Sequence, residues 1–311
     1  MFRIIFFGTS SFAVPSLERL IADPRFEVVA VVTQPDRPVG RKMILTPPPV
    51  KEAAMRHRIP VLQYEKVKSD EAYEELKKIS SDVGVVASFG QILSERVLGL
   101  PTRGMINVHG SLLPNYRGAS PVAAAILNGD TKTGVTFMIM DAMLDHGDIL
   151  AAVETVIAKE ETAGVLHDRL AIIGAEHLPD LLIAYLEGHL RSTPQQHSAA
   201  SFTKSFVRED GRIDWRRSVV EVERMIRAYQ PWPECFTVLD EQRLKIHRAR
   251  IGGKTAQPVG TFFEENGWPA FACGDGIALI LLDVQQEGRK RMDGQTFLRG
   301  RRSTLPSTST P

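Results

Sequence analysis

The sequence predicts an α/β protein: a doubly wound, mostly parallel, Rossmann-like sheet domain followed by a small OB-like β-barrel domain. Up to about residue 190, short apolar runs alternate with helical patterns, which is typical of a parallel sheet. The chain then becomes polar, and five short strands follow with turn signals between them, which favours a barrel. We therefore expect a first domain over 1–190, a linker over 191–205, a barrel domain over 206–302 and a disordered tail over 303–311.

The first strand is predicted over Phe2 to Phe7, an apolar run that is broken only by Arg3 and ends at Gly8. Ser10 or Ser11 is a candidate cap for the helix that follows. With the next strand this opening forms a βαβ unit, which raises the question of a dinucleotide site. No second or third glycine follows Gly8 to let a pyrophosphate approach, so we reject a nicotinamide or flavin cofactor.

The remaining elements are predicted from apolar periodicity and from breakers. In the first domain, strands are expected at Glu27 to Thr33, Val61 to Leu62, Val83 to Ala87, Ile106 to His109, Val135 to Met140 and Ile149 to Ile157. A long helix should begin near Thr162, kink at Pro179 and end at Gly188. The barrel strands are expected at Phe236 to Leu239, Leu244 to Ile251, Gly260 to Phe263, Ala270 to Cys273 and Ile277 to Val284.

The segment from Gln34 to Pro49 differs in kind. It contains five prolines, which oppose a helix or a central strand, so we predict a long exposed loop. Three basic residues lie within it: Arg37, Arg41 and Lys42. On composition alone, a functional loop and a solvated loop with incidental charge account for it equally well.

Composition and charge narrow the class of protein. Hydrophobic residues are 43% and charged residues 24% of the chain, and the formal net charge is +1, so only local clusters can indicate nucleic-acid binding. Cys235 and Cys273 lack metal-ligand spacing and are expected to be buried thiols. No apolar run approaches the roughly 20 residues of a membrane span, and no signal peptide is visible, so we expect a cytoplasmic protein without membrane contact.

Three polar residues are candidates for chemistry. Asn107 and His109 share one face at the carboxyl end of a predicted strand, where open α/β sheets keep their ligands, and Asp145 lies in a later turn. An amide can donate to an oxyanion, an imidazole can move a proton, and a carboxylate can orient the imidazole or relay a proton. No activated Ser or Cys is evident, since Ser111 is near but lies in no nucleophile-elbow context, so these roles favour direct acyl transfer over a covalent acyl-enzyme.

A structural role for the same polar residues stays open at this point. Spacing alone slightly favours buried structural hydrogen bonds for Asn107 and His109, with Asp145 as a turn residue. A metal site formed by His109, Asp145, His146 and Asp148 lacks any tight ligand pair, so no metal is predicted.

The basic groups of the chain are likewise open to two interpretations. Those of the proline-rich loop and of the region from Arg289 to Arg302 can form a phosphate-binding surface or ordinary solvated charge. They are separate in sequence, so only the fold can bring them to one side of the molecule.

Recognisable motifs occur along nearly the whole chain, to about Arg302. They are Phe6 to Leu17, Thr33 to Pro38 with Gly40-Arg41, Asn107 to Pro114, Arg117 to Ala119, Leu144-Asp145 with Gly147-Asp148, Gly211 to Trp215, Ile226 to Ala228, Pro231 to Pro233, Lys290 to Met292 and Phe297 to Gly300. Together these motifs resemble those of the methionyl-tRNA formyltransferase family. The first-domain motifs are shared with other users of 10-formyltetrahydrofolate, whereas the proline-rich loop and the second-domain motifs favour the tRNA enzymes.

The resemblance implies an enzyme that transfers the formyl group of 10-formyltetrahydrofolate to the α-amino group of methionyl initiator tRNA. It implies that the catalytic residues are Asn107, His109 and Asp145, that the folate lies against Ser111, Leu112, Leu113 and Pro114, and that the tRNA contacts are Arg37, Arg41 and Lys42. The expected partners are a reduced folate and initiator methionyl-tRNA, and we expect a monomer.

The sequence departs from the family pattern at two places. Lys42, Met43 and Ile44 replace a glycine and further basic residues, which makes the loop less charged. Position 146 holds His where a small polar residue is usual. Two alternatives remain: a formyltransferase acting on a small amine such as an aminosugar nucleotide, and a non-catalytic nucleic-acid-binding protein built on the barrel. The second ranks far lower, because it gives no reason for the polar trio of the first domain.

Overall fold

The computed structural model describes residues 1–40, 42–301 and 307–310. The chain divides into two compact units. The first comprises Met1–Pro121, Lys132–Val156 and His167–Lys204, and the second comprises Val122–Thr131, Ile157–Leu166 and Ser205–Pro311. The first unit therefore includes most of the segment that the sequence predicts to be a linker.

Up to residue 204 the structure has eleven strands among its described residues. They are β1 Phe2–Gly8, β2 Phe26–Thr33, β3 Arg37–Val39, β4 Ile44–Thr46, β5 Val61–Gln63, β6 Val83–Ala87, β7 Met105–His109, β8 Arg117–Gly118, β9 Lys132–Ile139, β10 Ile149–Val156 and β11 Phe202–Thr203. The helices are α1 Val14–Ala22, α2 Pro49–Arg56, α3 Asp70–Leu76, α4 Glu95–Leu98, α5 Pro121–Asn128 and α6 Ala163–Leu186. Neither Ser10 nor Ser11 caps α1 through its side chain, since a 3-10 turn over Ser11–Ala13 precedes the helix.

The central sheet of the first unit has the strand order β10-β9-β7-β6-β1-β2-β5. Strands β7, β6, β1, β2 and β5 are parallel, and β9 and β10 extend the sheet in antiparallel fashion. The chain moves outward from β1 in one direction and then returns to β6 on its other side, which is the doubly wound topology that the sequence predicts. The carboxyl ends of the parallel strands therefore meet at one edge.

Strand β7, which carries Asn107 and His109, is buried throughout. Its side chains alternate between the two faces of the sheet. Val108 faces helix α6, where a Cβ on Gly174 would lie 3.0 Å from its Cγ1 atom. Helix α6 continues through Pro179. Asn107 and His109 consequently point away from α6, toward the opposite face.

The prediction of a long irregular loop over residues 34–49 is wrong in part. Strands β3 and β4 form an antiparallel hairpin in which Pro38 pairs with Leu45. Pro38 is compatible with β3 because, within the described part of the chain, the hairpin pairs with no further strand, so the missing backbone N–H costs no bond there. Arg41, one of the predicted tRNA contacts, lies outside the described residues.

The segment predicted as a linker also differs from expectation. Strand β11 pairs in parallel with β8, so residues 202–203 are joined to the stretch just after the predicted folate segment. Two bonds reinforce this contact: the Arg117 N–H donates to the carbonyl oxygen of Ser201 (2.9 Å), and the Tyr116 N–H donates to its hydroxyl (2.8 Å).

The second unit contains a closed antiparallel barrel, which is OB-like and confirms the predicted fold class. Its strand order is β13-β12-β18-β14-β15-β16-β17, and pairing of β13 with β16 closes it. The elements are α7 Val219–Ala228, β12 Cys235–Leu239, β13 Gln242–Lys254, β14 Thr261–Glu265, β15 Trp268–Ala272, β16 Ile277–Gln286, β17 Met292–Asp293, α8 Gly294–Arg299 and β18 Ser307–Thr310. Strand β18 lies in the stretch for which the sequence predicts disorder.

The barrel core is aromatic. Trp215 stacks on Phe271 with ring centroids 4.2 Å apart, and its indole N–H donates to Thr237 (3.0 Å). Cys235 and Cys273 are buried free thiols, as predicted, and burial raises the pKa of the Cys273 thiol to about 12.

Among the described residues, no helix is long and apolar enough to cross a membrane.

Candidate active site

Asn107 and His109 lie near the carboxyl end of β7, where the sequence predicts them. Both are almost fully buried, with 7% and 6% exposure. The antiparallel neighbour β9 places Met138 opposite Asn107 and Thr136 opposite His109. Because paired residues project from the same face, the Thr136 hydroxyl belongs to this site as well.

The Thr136 hydroxyl holds the segment that follows His109. It donates to the carbonyl oxygen of Ser111 (2.6 Å) and accepts the Leu113 N–H (3.0 Å). The Ser111 hydroxyl is itself used internally, since it donates to the carbonyl oxygen of Asn115 (2.6 Å). Ser111 and Leu113 are buried, whereas Leu112 and Pro114 are half-buried. Of the four predicted folate-binding residues, Leu112 and Pro114 have side-chain surface available for a ligand.

Asp145 lies in the turn between β9 and β10, which we call the Asp145 turn (residues 140–148). Its backbone is left-handed, with φ +46°, a conformation that Asp tolerates better than most residues. The base of the turn closes through a bond from the Ile139 N–H to the carbonyl oxygen of Asp148 (2.9 Å). A Cβ on Gly147 would overlap the carbonyl oxygen of Ile139, so only glycine fits there.

The structure brings the three predicted catalytic residues together. The amide nitrogen of Asn107 lies 3.4 Å from Oδ1 of Asp145, and Nδ1 of His109 lies 3.7 Å from Oδ2. The same Oδ2 accepts the Gly118 N–H at 2.7 Å. An amide donor, an imidazole and a carboxylate thus converge at one end of β7.

The contacts of His109 fix where its protons are. Nε2 lies 3.1 Å from the carbonyl oxygen of Tyr116, which only accepts, so Nε2 carries a hydrogen. In the neutral ring Nδ1 is then unprotonated, and it faces the Asp145 carboxylate. Nδ1 is therefore the ring nitrogen placed for proton transfer or for polarising a carbonyl oxygen.

Sequence reasoning missed Gln195, which holds the Asp145 turn through its backbone. The Gln195 amide nitrogen donates to the carbonyl oxygens of Asp145 (3.0 Å) and Gly147 (2.7 Å), and its oxygen accepts from Arg117 (2.8 Å). Gln195 and Arg117 are buried. Nothing in the polar composition around residue 195 distinguishes this glutamine from its neighbour Gln196, which is exposed.

The four residues considered as metal ligands do not form one cluster. Nδ1 of His146 is 2.6 Å from Oδ2 of Asp141, and Asp148 accepts from the Ser192 hydroxyl (2.9 Å), so these side chains are engaged elsewhere. In the part of the chain that the structure describes, no three His, Cys, Asp or Glu residues are placed to hold a metal ion.

A pocket of about 210 Å³ opens beside the Asp145 turn. It is lined by Ile139, Met140, Asp141, His146, Gly147 and Asp148. His146, which departs from the usual residue type at this position, therefore borders this pocket one residue after Asp145. A ligand part bound here would contact the backbone of the turn.

The hairpin carries the predicted tRNA contacts that are described. Arg37 pairs with Glu65 at 2.6 Å, while Lys42 is exposed. The tip is apolar and exposed, with Met43 at 68%, Ile44 at 61% and Leu45 at 65%.

The base of the hairpin is held by a charged contact. The Lys51 ammonium and the Gln63 amide both donate to the Asp36 carboxylate. These bonds, that from Lys51 most strongly, hold the pKa of Asp36 below its ordinary value. The position of the base is therefore tied to the residues around β5.

Known proteins show which family shares these features. The protein-family model described as Formyl transferase matches residues 2–182. The family model described as Formyl transferase, C-terminal domain, matches residues 206–302. The methionyl-tRNA formyltransferase of Roseiflexus sp. (strain RS-1) is 47% identical over 96% of this chain and 93% of that protein. The chain belongs to the methionyl-tRNA formyltransferase family. The methionyl-tRNA formyltransferase of Geobacter sulfurreducens is 44% identical over the same shares, 96% and 93%.

Solved structures extend the comparison beyond the methionyl-tRNA formyltransferase family. WlaRD, a sugar 3N-formyl transferase crystallised in the presence of dTDP and 5-N-formyl-THF, matches with a TM-score of 0.68. The match covers 93% of this chain and 99% of that one at 19% identity. An identity this low shows a common fold and carries no information about substrate.

Proposed function

We propose that this protein transfers the formyl group of 10-formyltetrahydrofolate to the α-amino group of methionyl initiator tRNA, giving N-formylmethionyl-tRNA for translation initiation. The observation that supports this most strongly is the convergence of Asn107, His109 and Asp145 at the end of β7 in a chain of this family. Contacts made by the trio suit direct transfer to an amine, and family membership indicates the donor and the acceptor.

The residues divide the chemistry among them. In the reaction the new carbon–nitrogen bond forms, the bond from N10 to the formyl carbon breaks, and one proton passes from the amine to N10. Asn107 donates to the formyl oxygen as negative charge develops there, and His109 polarises the same oxygen when Nδ1 is protonated. Asp145 accepts the amine proton, directly or through water, and stabilises the charged ring of His109.

The segment after His109 fits a reduced folate. Thr136 fixes its backbone, Leu112 and Pro114 keep accessible apolar surface, and a pocket is lined by residues of the Asp145 turn. We place the folate against Ser111, Leu112, Leu113 and Pro114. The side chains of Ser111 and Leu113 act by shaping this segment, because they are themselves buried.

In this proposal the hairpin contacts the acceptor end of the tRNA, and the second unit contacts the phosphate backbone of the tRNA. Lys42 supplies exposed charge at the hairpin, and the apolar tip supplies surface for contacts with bases. Arg37 is partly neutralised by Glu65, so we expect a smaller share from it. A cytoplasmic monomer remains our prediction for the working form.

The test is formyl transfer to methionyl initiator tRNA by the purified protein. We expect Asn107→Ala, His109→Ala and Asp145→Ala each to lower kcat by about a hundred-fold or more, the effect typical of a lost oxyanion donor or proton-transfer group. Methionyl elongator tRNA and an aminosugar nucleotide serve as competing acceptors.

Matched controls are His189→Ala and Asp168→Ala, whose side chains are 73% and 78% exposed on the first unit. Both should keep full activity. If the three site variants also keep it, the site assignment is wrong. If the wild-type protein formylates the aminosugar nucleotide and not the initiator tRNA, the proposed acceptor is wrong.

A further inference from the structure

The Asp145 turn belongs to neither of its flanking strands, yet it must present a carboxylate at a fixed place. A second segment crosses it. We call this segment the strap (residues 195–203). The sequence predicts it to be linker, but its side chains and backbone contact the turn and the stretch around Arg117.

Gln195 is the contact point of the strap with the backbone of the turn. One amide nitrogen donates to the carbonyl oxygens on either side of residue 146, and the amide oxygen accepts from Nη2 of Arg117. Since a guanidinium only donates, Arg117 fixes which end of the Gln195 amide faces the turn. The amide is buried and satisfied, so the turn has one position in which these bonds can form.

The strap also holds the side chain between those two carbonyl groups. The rings of His146 and His197 stack with centroids 3.9 Å apart and planes 2° from parallel. Nη2 of Arg117 donates to Nδ1 of His197 (2.9 Å), and Asp141 binds Nδ1 of His146 (2.6 Å). Arg117 is thus joined to the turn by two routes, through Gln195 and through His197.

The carboxylate itself is held by the same stretch. The Gly118 N–H donates to Oδ2 of Asp145, and Gly118 follows Arg117 directly. Gly118 has φ +108°, and a Cβ there would overlap the carbonyl oxygen of Thr203 in the strap. Thr203 in turn accepts the Ser120 N–H (3.2 Å) and donates to the Arg117 carbonyl oxygen (3.2 Å).

We propose that Gln195 is a positioning residue for the proposed formyl transfer. Anchored by Arg117, it holds the backbone of Asp145 while Gly118 holds the carboxylate, so that the acid meets Asn107 and His109. The strap therefore supports the active site through its contacts with the Asp145 turn and with the stretch around Arg117. The inference rests on the proposed role of Asp145, and it predicts a loss in the chemical step without loss of substrate binding.

The decisive variant is Gln195→Met, which keeps the length of the side chain and removes all three bonds. We expect kcat to fall at least ten-fold and up to about a hundred-fold, as for a displaced catalytic group, with KM for folate and tRNA changed less than two-fold. The exposed neighbour gives the matched control, Gln196→Met, which should match the wild type.

A double variant separates positioning from general damage to the fold. If Gln195 acts through Asp145, then Gln195→Met should cost less than two-fold in single-turnover rate when it is added to Asp145→Asn. An undiminished ten-fold loss in that background would overturn the inference. The inference would also be overturned if Gln195→Met raised KM for folate or tRNA and left kcat unchanged.

An NMR measurement makes the inference independent of the proposed function. In the wild-type protein the Gly118 amide hydrogen is bonded to Asp145, so its exchange with solvent should be slow. Gln195→Met should accelerate this exchange at least ten-fold, and Gln196→Met should leave it unchanged. Unchanged exchange in Gln195→Met refutes the inference even in an inactive protein, whereas absence of formyl transfer in the wild type refutes only the proposed function.

Discussion

The hairpin and the strap come from stretches of similar composition, but they make different contacts with the rest of the protein. Both lie in polar, proline-containing stretches that the sequence predicts to be connections. Among the described residues, strands β3 and β4 of the hairpin pair with each other and with no further strand, and Met43, Ile44 and Leu45 at its apolar tip are exposed to solvent. The strap turns inward, where Gln195, Ser201 and Thr203 bond to the Asp145 turn and to the stretch around Arg117.

The two attachments show how an irregular segment can serve a site in different ways. A segment that keeps its backbone bonds to itself and leaves side chains free is suited to meet a partner. A segment that uses its side-chain bonds on a neighbouring turn is suited to fix geometry. Substitutions in the hairpin should therefore act on KM for the tRNA, and those that disturb the contacts of the strap should act on kcat.

The largest effect is expected where the turn packs against the strap. Gly147→Ala introduces a Cβ that overlaps the carbonyl oxygen of Ile139, so the backbone of the turn must shift and the bond from Gln195 to the Gly147 carbonyl oxygen is disturbed. We expect kcat to fall about a hundred-fold or more and the free energy of unfolding to fall by about 1–3 kcal/mol, as for overpacking. Steady-state kinetics and chemical denaturation measure the two quantities.

Gly99→Ala is the control for that substitution. Its Cβ would come no closer than 3.5 Å to another atom, which is ordinary contact, so activity and stability should match the wild type. Retention of full kcat in Gly147→Ala would show that the position of the turn is not critical, and the contrast between strap and hairpin would fail.

A smaller effect is expected at the hairpin tip. The double variant Ile44→Ser with Leu45→Ser removes exposed apolar surface, so stability should change by less than about 0.5 kcal/mol. If the tip contacts the tRNA, KM for the tRNA should rise about ten-fold with kcat unchanged, since burial of one such side chain contributes about 1.5–3 kcal/mol.

The comparably exposed Ile172 on α6 supplies the control, as Ile172→Ser should leave KM unchanged. An effect of the hairpin variant on kcat alone would mean that the hairpin fixes geometry as the strap does.

The smallest effect concerns acid. Bonds from Lys51 and Gln63 lower the pKa of Asp36 from its ordinary value of 3.8, so the carboxylate stabilises the hairpin base above pH 3.8. That contribution should be lost as the pH falls below 3.8 through the lowered value. The side-chain amide signals of Gln63 in NMR spectra should shift in that range. Asp36→Asn should abolish the shift, and a shift that persists would assign the titration to another group.

Much of the fold follows from the sequence because its strands have clear signals. The apolar run ending at Gly8 and the alternation from Ile106 to His109 predict β1 and β7, and short runs between turns predict the barrel. The hairpin does not follow from the sequence, because prolines oppose a central strand and yet are tolerated in an isolated pair of three-residue strands.

The site was predictable only in part, for a physical reason. Asn107 and His109 follow from strand alternation, and Asp145 adds the acid that the chemistry needs. The bonds of the strap join side-chain amides and hydroxyls to backbone groups distant in sequence, and such bonds leave no periodicity. Gln195 and Gln196 are identical as letters, and only the folded chain distinguishes the buried residue from the exposed one.

The left-handed backbone of Asp145 also limits how this position can vary in evolution or in design. Glycine, asparagine and aspartate are the residues that adopt such a backbone at low cost, and of these only aspartate is an acid. A glutamate retains the charge and strains the chain, whereas an asparagine retains the shape and loses the proton acceptor. Conformation and chemistry therefore select the same amino acid independently, which leaves this position no conservative replacement.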